Sequence, residues 1–245
     1  MKSKSSKKFK YIIPVILALV VALFVLYKFS KSQQGIPLPQ NAYKPGQTDT
    51  VQKDYALINV PFTSQAPTGN WSDPRQEDGC EEASLYMAWL WINNQTTTPS
   101  VAEKTIDDMS DFELAKYGNY HDFDAEDTAK LMQDYYHYTK LNVVINPTLD
   151  QMKNELSQDH VILIPTNGQK LNNPHYKQPG PTTHMLVVKG FDNSKQQFIT
   201  NDPGTRYGEG YTYNFQTVYN AMVDYPSGIH ESQVGRPKAM IVIEK

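Results

Sequence analysis

The sequence predicts an α+β fold in which a helical first half packs on an antiparallel sheet supplied by the second half. Three observations carry that expectation. Ala83, Met87, Leu90 and Trp91 recur at i, i+4, i+7 and i+8, the spacing of one helical face. From residue 142 onward, β-branched and aromatic residues gather in short runs bounded by turn residues. Helical patterns come first and strand patterns later, which separates the two kinds of structure along the chain instead of alternating them as a parallel sheet would.

Taken in order, the chain opens with Lys2, Lys4, Lys7, Lys8 and Lys10, followed by an uncharged run of 17 residues from Tyr11 to Tyr27. That length lies at the lower edge of a spanning helix and above the usual apolar region of a secretory signal. Residues 1–10 therefore read as a basic cytoplasmic tail and 11–28 as a transmembrane anchor. The alternative is a cleaved signal, for which Ser30-Lys31-Ser32 is a poor small-x-small site. Lysines concentrated before the span keep the N-terminus inside and send the remainder outside. Residues 29–53, with Pro37, Pro39 and Pro45 among Gln, Ser and Gly, read as a flexible linker. Residues 54–245 form the expected domain.

Charge follows the same division. Seven of the 23 basic residues and none of the 26 acidic ones precede residue 32, leaving 16 basic against 26 acidic, a balance of −10. An acidic exterior part without Lys/Arg clusters argues against a nucleic-acid partner.

The domain begins with an apolar strand at 56–62 ended by Pro61 and Phe62. A helix opens at Cys80. Further helices are expected at 101–109, 112–117, Ala125–Tyr136 with Asp124 as its cap, and Leu149–Ser157. Strands are expected at 142–146, 160–165, 184–191, 196–201, 211–215 and 239–244. Tyr135, Tyr136 and Tyr138 read as core packing.

The single cysteine, Cys80, stands in Gly79-Cys80-Glu81-Glu82-Ala83-Ser84, where a turn enters a helix. It has no internal disulfide partner, and a helix N-terminus favours a thiolate, so it is a candidate nucleophile. Nucleophilic catalysis also requires a base, a group that orients it, and donors for the oxyanion. His184 and Asp202 flank a turn centred on Asn193 at equal distances, which predicts that they face each other across a hairpin. Gln65 and Gln76 are both upstream amides able to serve the oxyanion together with the Cys80 backbone N–H. Glu81 and Glu82 suit the helix dipole but oppose a thiolate at close range, so they are expected to point away from the sulfur.

The segments Val60-Pro61-Phe62-Thr63-Ser64-Gln65-Ala66-Pro67, Gly79-Cys80-Glu81-Glu82-Ala83-Ser84, His184-Met185-Leu186-Val187-Val188-Lys189-Gly190-Phe191-Asp192 and Asn201-Asp202-Pro203-Gly204 carry a family resemblance. The chain resembles the bacterial cysteine peptidase family thirty-nine-like domains, papain-like relatives of the peptidases that trim double-glycine leaders. The resemblance implies a papain-like architecture and a Cys80, His184, Asp202 triad. Gln65 matches by its Val-Pro-x-x-x-Gln setting, whereas leader-trimming members carry their glutamine a few residues before the cysteine, as Gln76 does. Those members are fused to ATP-driven exporters, and no GxxxxGK[ST] loop exists here, so leader trimming is not inferred.

The polar stretch 166–181 is too long for an ordinary connection and is expected to frame a substrate cleft. His175 within it ranks below His184 as the base. The expected function is a membrane-tethered extracellular cysteine peptidase acting on a peptide or cell-envelope amide, without cofactor or metal. Its rivals are transglutaminase-like acyl transfer and a surface binding module that keeps the fold without turnover.

Overall fold

The computed structural model describes residues 53–245. The basic tail, the membrane segment expected at 11–28 and the linker up to residue 52 lie outside the described residues. Among the described residues, no helix is long and apolar enough to cross a membrane.

The chain runs through β1 (Tyr55–Leu57), α1 (Pro74–Glu77), α2 (Cys80–Ile92), α3 (Pro99–Tyr117) and α4 (Ala125–Tyr136) before the main strands begin. It continues with β2 (Leu141–Ile145), α5 (Leu149–Ser157), β3 (Val161–Thr166), a 3-10 turn at Gly168–Leu171, β4 (His184–Asp192), β5 (Gln197–Asn201), β6 (Tyr211–Asn214), α6 (Phe215–Ala221) and β7 (Ala239–Ile243). The sheet is antiparallel in the order β2-β7-β3-β4-β5-β6, with β1 added to β4. The α+β expectation is met.

β3 and β7 are buried at every residue, and β4 at all but its last. Strands covered on both faces read as continuous apolar runs rather than alternating ones. Helices α2 and α5 both pack on β4. The periodicity in α2 suggested one apolar face, yet Cys80 to Ala88 are all buried, with Leu90 and Trp91. It is a core helix enclosed by sheet and neighbouring helices, so even its glutamates lie inside.

Two close approaches fix this packing. A Cβ on Gly79 would lie 2.6 Å from the Arg75 carbonyl oxygen and 3.0 Å from Ile106, so only glycine lets α2 start this near α1 and α3. A Cβ on Gly190 would lie 2.3 Å from the Ala56 carbonyl oxygen. Gly190 sits at a bulge, where the β4–β5 register shifts between Val188 and Gly190, and it admits β1 along β4.

Several boundaries differ from the sequence reading. The helices expected at 101–109 and 112–117 are one, α3, capped by Thr98 with Pro99 in its first turn and ended by Gly118 at φ 79. Ser110 does not interrupt it, because its hydroxyl donates back to the Ile106 carbonyl and to Glu82. The strand expected at 211–215 stops at Asn214, whose side chain accepts from Gln216 N–H and starts α6. By contrast, α4 and α5 occupy the expected residues, with the Asp124 cap and a Thr148–Gln151 capping box in place.

Candidate active site

Three neighbouring parts of the fold converge on one buried group of side chains: the start of α2 with Cys80, the start of β4 with His184, and the end of β5 with Asp202. The Met185 N–H donates to Sγ of Cys80 at 3.3 Å, which places the residue after His184 against the sulfur. Nε2 of His184 lies 2.8 Å from Oδ1 of Asp202, with both residues buried. A carboxylate can only accept, so Nε2 carries the proton and Nδ1 is the nitrogen left free to accept another. Thr166 Oγ1 donates to the His184 carbonyl at 2.9 Å and pins the strand end beneath the ring.

The hairpin register expected from the symmetry about Asn193 is not the one observed. Val187 pairs with Asn201, and continuing that register would set Asp202 opposite Leu186. The two side chains meet diagonally, because positions two apart on a strand share a face.

Asp202 is fully buried and fully partnered. Oδ1 also accepts from Gly204 N–H at 3.0 Å, while Oδ2 accepts from Tyr213 hydroxyl at 2.5 Å, Tyr176 hydroxyl at 2.6 Å and Asn173 Nδ2 at 3.0 Å. Burial alone would raise its pKa. The His184 charge and the donors His184, Tyr176 and Tyr213 outweigh burial and hold the carboxyl below the usual carboxylate range. Asn173, Tyr176 and Tyr213 were missed in the sequence. Two of them come from the polar stretch 166–181, which therefore forms part of the support of Asp202. Tyr176 also sets its ring edge-on to His184, centroids 5.4 Å apart. His175 packs instead against Tyr207, with ring centroids 4.8 Å apart and the planes tilted by 40°.

Cys80 is 5% exposed and makes a contact opposite to expectation. Its Sγ donates to Oε2 of Glu81 at 3.0 Å. Glu81 points at the sulfur because its other oxygen is drawn inward by Tyr225 hydroxyl at 2.6 Å and Phe123 N–H at 3.2 Å. Burial pushes the Cys80 thiol well above its ordinary pKa; the Glu81 charge and hydrogen bond and the Asp122 charge add to this, while the Met185 N–H opposes it. Glu82 points away from the sulfur, accepting from Ser110 hydroxyl at 2.9 Å.

The two candidate glutamines differ. Gln76 spends its amide on Glu103 at 3.1 Å and Asp107 at 3.3 Å, both on α3. Gln65 is tied to the site from both sides: its N–H donates to the Pro203 carbonyl at 2.9 Å, and Nε2 donates to the carbonyls of Gln76 at 3.1 Å and Glu77 at 2.6 Å, at the end of α1 just before Cys80. A cavity of about 180 Å³ is lined by Phe62, Ser64, Pro67 and Arg206 among others, without Gln65 or any of the three candidate residues in its wall. The larger cavity, about 420 Å³, opens around Trp91 at the other end of α2 and holds none of these groups. Among the described residues, no cluster of three or more His, Cys, Asp or Glu is arranged to hold a metal ion.

The model of the peptidase C39-like family matches residues 57–227, a span that contains Cys80, His184, Asp202 and both glutamines. The chain belongs to the peptidase C39-like family. Membership of this C39-like family points to cysteine-peptidase chemistry. A crystal structure from Bacillus anthracis, described as a C39-like peptidase, is similar to the C39-like chain with a TM-score of 0.49 at 15% identity, covering 79% of this chain and 99% of that one. No curated protein matches the chain.

Proposed function

We propose that the domain is a cysteine peptidase or related amide hydrolase, tethered outside the cell by residues 11–28 and acting on a peptide or cell-envelope amide. The observation that carries the reading is the buried His184–Asp202 pair at 2.8 Å on the strand whose next N–H touches the Cys80 sulfur. Cys80 Sγ attacks the amide carbonyl, and Nδ1 of His184 takes the thiol proton. Asp202 fixes the ring and stabilises its charged form. The imidazolium then gives its proton to the departing amine, leaving a thioester. Water attacks the thioester with His184 as base, the acid leaves, and the proton returns to sulfur.

For the oxyanion, Gln65 is the better candidate, since its Nε2 already sits at the end of α1 just before Cys80 and would exchange the longer bond, to the Gln76 carbonyl, for the substrate oxygen. Gln76 is turned to α3.

The test is hydrolysis of a peptide library by the full chain, read by mass spectrometry, against Cys80→Ala. Cleavage that disappears in the variant supports the reading, and cleavage that persists overturns it. An added amine in place of water distinguishes acyl transfer. The neutral, buried thiol favours one rival, a binding module without turnover; absence of both cleavage and amine incorporation would leave that reading standing.

A further inference from the structure

The group that touches the sulfur most closely in this structure is a carboxylate that the triad does not use. Glu81 lies 3.0 Å from Sγ, is buried, and is held in place from two distant parts of the chain by Tyr225 hydroxyl and Phe123 N–H. A carboxylate there accepts the S–H hydrogen bond and opposes a negative sulfur by charge repulsion. A carboxylic acid there reverses both effects: it can donate to the sulfur anion and carries no charge.

We propose that Glu81 controls the proton on the nucleophile, holding Cys80 as a neutral thiol when ionised and supporting its thiolate when protonated. The inference rests on the reading of Cys80 as nucleophile. In the competent state the S–H proton passes to Nδ1 of His184, and Glu81 keeps its own proton and shares it with the sulfur anion. Relative to the resting state the site has taken up one proton from solvent, at Glu81, and nothing is oxidised or reduced.

The groups facing Glu81 set where this happens. On its own helix are Cys80 and Glu82; from the loop before α4 comes Asp122, from the loop after α6 Tyr225, and from α3 Glu113. Burial comes first and the Asp122 charge second in pushing Glu81 upward, while the Cys80 and Tyr225 hydrogen bonds pull it down, leaving it raised to about 7. Asp122 is itself engaged by His230, through its N–H at 2.9 Å and Nδ1 at 3.1 Å. The transition thus falls near neutrality.

The experiment is alkylation of Cys80 by iodoacetamide in the full chain across about pH 5 to 9, which brackets the Glu81 transition. The wild type, Glu81→Gln, Tyr225→Phe and His184→Ala are compared. The proposal expects wild-type labelling to fall as pH rises through the Glu81 transition. Glu81→Gln removes the fall and labels about tenfold faster or more at pH 8, the effect of one pKa unit or more at sulfur. Tyr225→Phe deletes a donor that favours the carboxylate, so the fall moves to higher pH. Profiles of wild type and Glu81→Gln that superimpose, with His184→Ala slowing both, overturn the role of Glu81 while leaving the hydrolase reading intact. Ordinary slow labelling in the wild type, unaffected by His184→Ala, overturns the hydrolase reading itself. If circular dichroism shows that Glu81→Gln is unfolded, Tyr225→Phe decides, and an unmoved profile counts against the proposal.

Discussion

Gly204 stands so close to His184 that a Cβ at this position would lie 2.8 Å from Cε1 and 3.2 Å from Nε2 of the imidazole. The same residue donates its N–H to Oδ1 of Asp202, so the loop after β5 both holds the carboxylate and walls in the ring. Gly204→Ala should therefore push His184 off Asp202 while leaving the core packed. A displacement of roughly an ångström at a reacting group costs about a hundredfold in rate. The expected result is a fall of that order in peptide cleavage, with a melting temperature close to that of the wild type. Unchanged turnover would show that the ring has room this arrangement denies it.

Asp202 is accepted as a charge inside the protein because every lone pair has a donor. Asp202→Asn would bring an amide N–H₂ against hydroxyls and amides that already donate, leaving some of Asn173, Tyr176 and Tyr213 unpaired. Breaking a buried, hydrogen-bonded charge pair in this way costs about 3–5 kcal/mol, so a clear drop in denaturation midpoint is expected along with loss of activity. The folded pKa of Asp202 lies below its ordinary 3.8, so its contribution to stability is present above that value. It is lost as pH falls through the depressed folded pKa. Acid unfolding of the wild type should include this step and that of Asp202→Asn should lack it.

Gln65 and Gln76 separate by what they touch. Gln65→Ala should lower kcat for amide hydrolysis by about 10²–10³, the range for loss of one oxyanion donor, with little change in the rate at which Cys80 is alkylated. Gln76→Ala should instead loosen α1 from α3, since both amide hydrogens go to Glu103 and Asp107. Its signature is a lower melting temperature with per-molecule turnover retained. The opposite pattern, turnover lost in Gln76→Ala alone, would return the oxyanion role to Gln76.

The parts legible in the sequence are those decided by neighbouring residues. Asp124 caps α4 through the N–H three residues on, so a local pattern located that helix and its start; α5 was placed by its own residues, and its Thr148 cap emerges only in the structure. Cys80, His184 and Asp202, which the structure brings together, were singled out because nucleophilic catalysis restricts residue types and because a hairpin brings its two arms together, although its register differs from the one expected. What escaped depends on distant contacts. The strand expected at 211–215 overruns by one residue, because the Asn214 cap turns the chain into a helix from Phe215 onward. The bulge at Gly190 arises from the approach of β1, 134 positions earlier between Ala56 and Gly190, and no local pattern announces it. Glu81 was expected to avoid the sulfur, and the donors that turn it inward come from positions 42 and 144 residues away.

A second buried carboxyl pair, Glu82 on α2 and Glu113 on α3, carries a different pH signature. Burial comes first in raising Glu82, and the Glu81 charge adds to it; burial and then the Glu82 charge raise Glu113. Each has an oxygen without a hydrogen-bond partner, so the pair is comfortable only when it shares a proton. For carboxyls raised above their ordinary 4.5 on folding, the stabilisation is fully present below that value and is lost as pH rises through the folded pKa. Glu113→Gln keeps the shape and a donor while removing the titration. The melting temperature of the variant should match the wild type at pH near 4.5 and exceed it at alkaline pH, where the wild type must either ionise both carboxyls or hold a proton against the solution. Parallel melting curves across that pH interval would mean that the two glutamates are already relieved by water reaching them from α3, and the buried-pair account would fail.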